Sequence, residues 1–116
     1  MFGSYPYPKN FYAQNTSEFI TIYVKDGKPT KKVIISRLNA YHGSSIGSAS
    51  LGGMKSMHSQ GGMPIPDIIH INQPYWYAEG GNMNHEDFGV MRARELESKI
   101  IEVGPDNVAA FIAEPI

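Results

Sequence analysis

No cysteine occurs in the 116 residues, which excludes a disulfide scaffold, cysteine-containing zinc sites and thiol chemistry. An excess of charge is missing too. Ten Lys+Arg stand against eleven Asp+Glu, a formal charge of −1, so nothing favours nucleic acid or an anionic lipid surface as a partner. Apolar runs reach only a few residues, far short of a membrane span. The opening Met1-Phe2-Gly3-Ser4-Tyr5-Pro6 lacks the basic-then-apolar layout of a secretion signal, and a cytoplasmic location is expected. A chain of this length has room for one small domain. It buries roughly two-thirds of the surface exposed on unfolding, enough for a core.

Glycine and proline are plentiful, at 12 and 8 residues, and they punctuate the chain. Tyr5-Pro6-Tyr7-Pro8 predicts an extended or turn-like terminal arm. Residues 19–24, dense in β-branched and aromatic side chains and followed by Asp26-Gly27, predict a strand ending in a turn. Val33-Ile34-Ile35-Ser36-Arg37 is a short apolar run without alternation, which suits a strand covered on both faces of a parallel sheet. From Leu38 to Asn84 regularity fades into a long glycine-rich connection. It carries a short helix over residues 45–51, capped by serine and stopped by Gly52-Gly53, and a short strand over 68–71. Connections this long are uncommon unless they line a site or an interface.

Val90, Ala93, Leu96, Ile100 and Val103 recur at three- and four-residue intervals and predict a helix buried along that stripe. Asn84 is its N-cap, Glu86 and Asp87 complement the macrodipole, and Gly104-Pro105 stops it. Residues 108–113 predict a second buried strand. Strand, long crossover with helix, strand is one unit of an α/β fold, and ligands in such sheets sit beyond the carboxyl ends of the strands. Tyr41-His42-Gly43 follows one such end and Glu114 the other, so the two are expected to meet.

The candidate chemistry divides on residue type. The four histidines raise a metal site, yet no pair has the short spacings of zinc ligands; they are read as surface or hydrogen-bonded side chains, with no metal expected. Glu95 and Glu97 are read as a solvated helix face, and Met54, Met57 and Met63 as packing. Gly43-Ser44-Ser45 presents backbone N–H groups suited to a phosphate, but any helix start requires the same residues. A carboxylate at the end of a buried strand, Glu114, calls for a cation or donor. Tyr41 is placed either to pack or to stack on a planar ring.

These residues, in this order, resemble the class III pyridoxal-phosphate-dependent aminotransferases, nearest to the putrescine–pyruvate and ω-amino acid–pyruvate branch. The likeness runs through residues 34–45, Ser50-Leu51-Gly52-Gly53-Met54, Pro64-Ile65-Pro66, His70-Ile71, Gln73-Pro74-Tyr75-Trp76-Tyr77 and residues 104–116. It implies part of a fold-type-I large domain over residues 27–116, preceded by a divergent arm and strand over 1–26. It also implies homodimers of the full-length protein that move an amino group from an amine to a keto acid, with pyridoxal 5'-phosphate as cofactor. Under the resemblance, Tyr41 stacks on the pyridine ring, Gly43 permits close packing at the cofactor, His42 supports the loop and Glu114 lies near the ring's edge. The family's Schiff-base lysine and pyridinium-pairing aspartate have no counterpart among these residues. The segment Asn15-Thr16-Ser17-Glu18-Phe19 lacks the glycine of the family's phosphate cup. The expectation is therefore a fragment inactive alone, with a non-catalytic module pairing with full-length subunits as the alternative.

Overall fold

The computed structural model describes residues 30–115. The expected terminal arm, the strand over 19–24 and the segment around Ser17 lie outside the described residues. Three parallel strands form one sheet in the order β2-β1-β3, with β1 at Val33–Arg37, β2 at Ile68–Ile71 and β3 at Val108–Phe111. The parallel α/β expectation holds. Ile35 pairs with Ile69 on one side and with Phe111 on the other. Being central, β1 is covered on both faces, and Ile35 and Ser36 are fully buried. Its outer neighbour β3 is only half-buried, and Phe111 is 42% exposed. Among the described residues the expected buried strand is thus an edge strand, and it stops two residues earlier than its apolar run.

The connection from β1 to β2 carries α1 (Ile46–Leu51) and α2 (Lys55–His58). Ser45 caps α1 as its residue type predicts: its Oγ accepts the Ser48 N–H. Gly52 ends the helix. At that end two imidazoles cover the orphan carbonyls. His58 Nε2 lies 2.9 Å from both Ala49 O and Gly52 O, and His70 Nε2 lies 2.8 Å from Gly52 O. The rings stand 5.3 Å apart. His58 and His70 are therefore hydrogen-bonded, as read from their spacing. Among the described residues no group of three metal-binding side chains occurs.

The return from β2 to β3 carries α3 (Trp76–Glu79), α4 (His85–Val103) and a 3₁₀ turn at Pro105–Asn107. The α3 turn was not legible: four residues give no periodicity to read. It is held by the Trp76 indole, which donates to Met83 O at 2.7 Å and stacks on His85 at 3.8 Å. Asn84 caps α4 as expected, accepting the Asp87 N–H at 2.8 Å. Gly104 at φ +100° takes the chain out of the helix, a conformation few other residues adopt without strain.

The expected stripe on α4 is buried only in part: Leu96, Ile100 and Val103 are half-buried, whereas Ala93 and Val90, 50% exposed, are not. Phe88, outside the stripe, is 1% exposed, and Arg92, Glu95 and Lys99 are half-buried beside it. Pairing makes this possible. Arg92 bonds both Glu79 of α3 and Glu95 of α4, and Asn72 donates to Glu95 at 3.1 Å. Glu95 is accordingly part of a network and not a solvated face, while Glu97 is exposed as expected. Burial works against the Arg92 charge, but the hydrogen bonds to Glu95 and then Glu79 outweigh it and hold the pKa above its ordinary value.

Candidate functional site

β1 ends at Arg37, and the chain turns at once through Asn39, which sits in the left-handed region at φ +65°. A second segment backs this turn. Gly53 N–H donates to Ala40 O at 2.9 Å, and Asn39 N–H donates to Gly53 O at 3.0 Å. The approach is close enough that a Cβ on Gly53 would lie 2.6 Å from Leu38 Cα and 2.7 Å from Asn39 N. Only glycine fits there. The histidine-capped end of α1 thus braces the loop that carries Tyr41.

Beyond the carboxyl ends of β1 and β3 the two expected features come together. The Tyr41 N–H donates to Glu114 Oε2 at 2.8 Å, although 73 positions separate them. The carboxylate at the strand end has its donor, as burial physics required. Arg37 Nη2 donates to the backbone O of Glu114 at 2.6 Å. The crossover from β1 runs to β2 on one side, and the chain returns across β1 to β3 on the other. The gap between β1 and β3 is therefore a topological switch point, where open α/β sheets place ligands.

A cleft of about 580 Å³ opens at this rim, lined among others by Arg37, Asn39, Ala40, Gln73, Tyr75 and Glu114. That size suits a cofactor or small substrate. Of the four expected residues, Glu114 lines the cleft. Tyr41 adjoins it through Ala40, with its side chain 53% exposed. His42 is buried, at 5% exposed. Gly43 has φ +125°, a conformation that favours glycine. Sequence reasoning missed Arg37 and Gly53. A cation closing an apolar strand was the available sign of the first, and the doubled Gly52-Gly53, read only as a helix stop, was the sign of the second.

The donor set at this rim suits a pyridine cofactor in part. A half-exposed tyrosine ring and a neighbouring carboxylate fit the face and edge of such a ring. Lysine is another matter: none lines the cleft. Lys31 donates to Val108 O at 2.9 Å beside the start of β3, and Lys32 pairs with Asp67 just before β2, both at the opposite end of the strands. Lys99 pairs with Glu102 on α4. The described residues therefore fit the ring and supply no lysine to anchor it. No helix among them is long and apolar enough to cross a membrane.

Comparison with known proteins gives matches along most of the chain. The family model for aminotransferase class-III matches residues 16–116. The putrescine–pyruvate aminotransferase of Pseudomonas aeruginosa is 63% identical over 90 residues, covering 78% of this chain and 20% of that protein. The solved omega-transferase from Vibrio fluvialis JS17 superimposes with a TM-score of 0.73 at 40% identity, over 78% of this chain and 21% of that one. The omega transaminase from Pseudomonas jessenii in complex with PMP gives a TM-score of 0.75 at 42% identity, over 78% of this chain and 20% of that one. The chain spans about a fifth of the length of the relatives it matches.

Proposed function

Because the chain belongs to the class-III aminotransferases, we propose that it forms one rim of a pyridoxal phosphate site for amino transfer from a primary amine or ω-amino acid to pyruvate. We further propose that it does not transaminate by itself. The observation that carries this reading is the Tyr41–Glu114 contact at 2.8 Å, beyond the carboxyl ends of parallel strands. When bound, the cofactor supplies the electron sink for proton removal from the carbon that carries nitrogen. This chain's residues supply binding and orientation. The Tyr41 ring offers a flat apolar face on which a pyridine ring stacks. The Glu114 carboxylate, with one oxygen held by the Tyr41 N–H, presents negative charge at the ring's edge. Gly43 lets the backbone come close, and buried His42 supports the loop from below. Inactivity follows from the cleft's lining, which among the described residues holds no lysine.

The choice of amine and pyruvate rests on the 63% identity to an enzyme named for putrescine and pyruvate. Equilibrium dialysis of pyridoxal phosphate against the chain tests the site. Saturable binding, weakened in Tyr41→Ala and in Glu114→Ala, is expected, together with no turnover of putrescine and pyruvate. Equal retention by all three proteins would refute the rim.

One observation favours a second role. The three-stranded sheet has two outer edges, at β2 and β3, and neither is paired among the described residues. A module of this kind pairs with full-length subunits through those edges. Mixing the chain with an intact relative and finding a mixed species by size exclusion would support it; two unchanged peaks would remove it.

A further inference from the structure

The geometry assigns Arg37 as a positioning residue that sets the Tyr41 and Glu114 rim, a role that rests on the cofactor-rim reading above and deepens it. Arg37 is the last residue of β1, and its guanidinium donates to the backbone O of Glu114 at 2.6 Å across 77 positions. The carboxylate of the same Glu114 accepts the Tyr41 N–H at 2.8 Å. Glu114 is thus fixed twice, its main chain by the end of β1 and its side chain by the loop that follows β1. The last sheet bond toward this segment is Ile112 N–H to Ile35 O at 3.0 Å. Beyond it the chain has no ladder to hold it, and Arg37 takes over the task.

Arginine suits this position better than lysine. Its planar head carries five donors in a fixed fork, so one N–H bonds the carbonyl while the plane stays oriented. Arg37 also lines the cleft. Removing it frees the Glu114 carbonyl, lets residues 113–115 drift from β1, and loosens the carboxylate's hold on the Tyr41 amide. Arg37 therefore acts on the cofactor rim through Glu114 and Tyr41, without itself holding the ring.

Backbone amide exchange by NMR on the whole chain tests this, with Arg37→Met, Arg37→Lys and Glu114→Gln compared to the parent. In Arg37→Met the Tyr41 amide should exchange about tenfold to a hundredfold faster, the loss expected for a charge-assisted hydrogen bond, and its resonance should move upfield. Arg37→Lys should restore part of the protection. Glu114→Gln, whose amide oxygen still accepts, should keep more of it than Arg37→Met. The Leu38 amide, bonded to Ile71 O at 2.9 Å, serves as control. If Leu38 accelerates along with Tyr41, or if Tyr41 exchange is unchanged, the positioning role is overturned. Dialysis of pyridoxal phosphate on the same samples separates the two readings. Tyr41 protection that is lost in Arg37→Met, in a parent chain that binds no cofactor, defeats the rim and leaves the positioning intact; binding that Arg37→Met leaves untouched defeats the positioning alone.

Discussion

The hydroxyl of Ser36 is fully buried in the central strand and finds no hydrogen-bond partner among the described residues. A desolvated, unpaired hydroxyl opposes folding, and its removal leaves a methyl group in an apolar setting. Ser36→Ala should therefore raise stability by about 1 kcal/mol, read as a higher urea midpoint at unchanged slope; a lower midpoint would show that the hydroxyl has a partner in solution. Gly53 makes the opposite case. A Cβ there lies 2.6 Å from Leu38 Cα and 2.7 Å from Asn39 N, both backbone atoms with nowhere to go. Gly53→Ala should cost on the order of 3 kcal/mol and disturb the Tyr41 loop with it. Gly47, whose Cβ would meet nothing within 4 Å, is the matched control in the neighbouring helix. There alanine should be neutral or mildly stabilising, because it is the better helix former. Thermal melts of the two alanine variants against the parent decide whether close approach or glycine itself matters.

Among the elements, α4 shows what a periodic pattern conveys and what it leaves out. Its start at Asn84 and its stop at Gly104 follow from cap chemistry, and both lie where the residues place them. Its orientation follows only in part: Leu96, Ile100 and Val103 are half-buried as the stripe requires, but Val90 and Ala93 are exposed, because a count of apolar spacings ignores ion pairs. Arg92 with Glu79 and Glu95 makes a polar line buriable, and Phe88, outside the apolar stripe, becomes the anchor. The pair contributes modestly, since Glu79 is more than a third exposed and screened by solvent. With the arginine pKa raised, that contribution is full at neutral pH and fades only as pH climbs through the elevated arginine range. Two substitutions separate the faces. Phe88→Ala should cost about 3–5 kcal/mol, while Val90→Ser, on the half-exposed side, should stay within about 0.5 kcal/mol. A larger loss at Val90 would mean that the first turn of the stripe read from spacing is buried as well. Chemical denaturation of both variants gives the answer.

For the whole molecule, the sheet and half of the rim were legible, because strand order and ligand placement in parallel sheets follow general rules. Tyr41 and Glu114 could be paired from the ends of two apolar runs. Arg37 could not, because its partner is a backbone carbonyl 77 positions away, and no sequence pattern marks a carbonyl. Nor could α2 and α3, each of four residues, shorter than a helical period needs to show. The same rules lead to a last prediction. In the order β2-β1-β3 both outer strands leave a row of backbone groups without partners among the described residues, and Phe111 on β3 adds a ring 42% exposed. Flat apolar edges of this kind recruit further strands, and natural edges are blunted by charge. The chain should therefore associate as its concentration rises, seen in sedimentation velocity as a growing faster-moving fraction. Phe111→Lys should shift that distribution toward the monomer, since a buried ammonium at a new strand pair is costly. The helical signal should hold, because Phe111 lies on a strand and outside α4. A parent chain that stays monomeric across the range would mean that the edges are covered in solution, and the pairing role proposed for them would go with it.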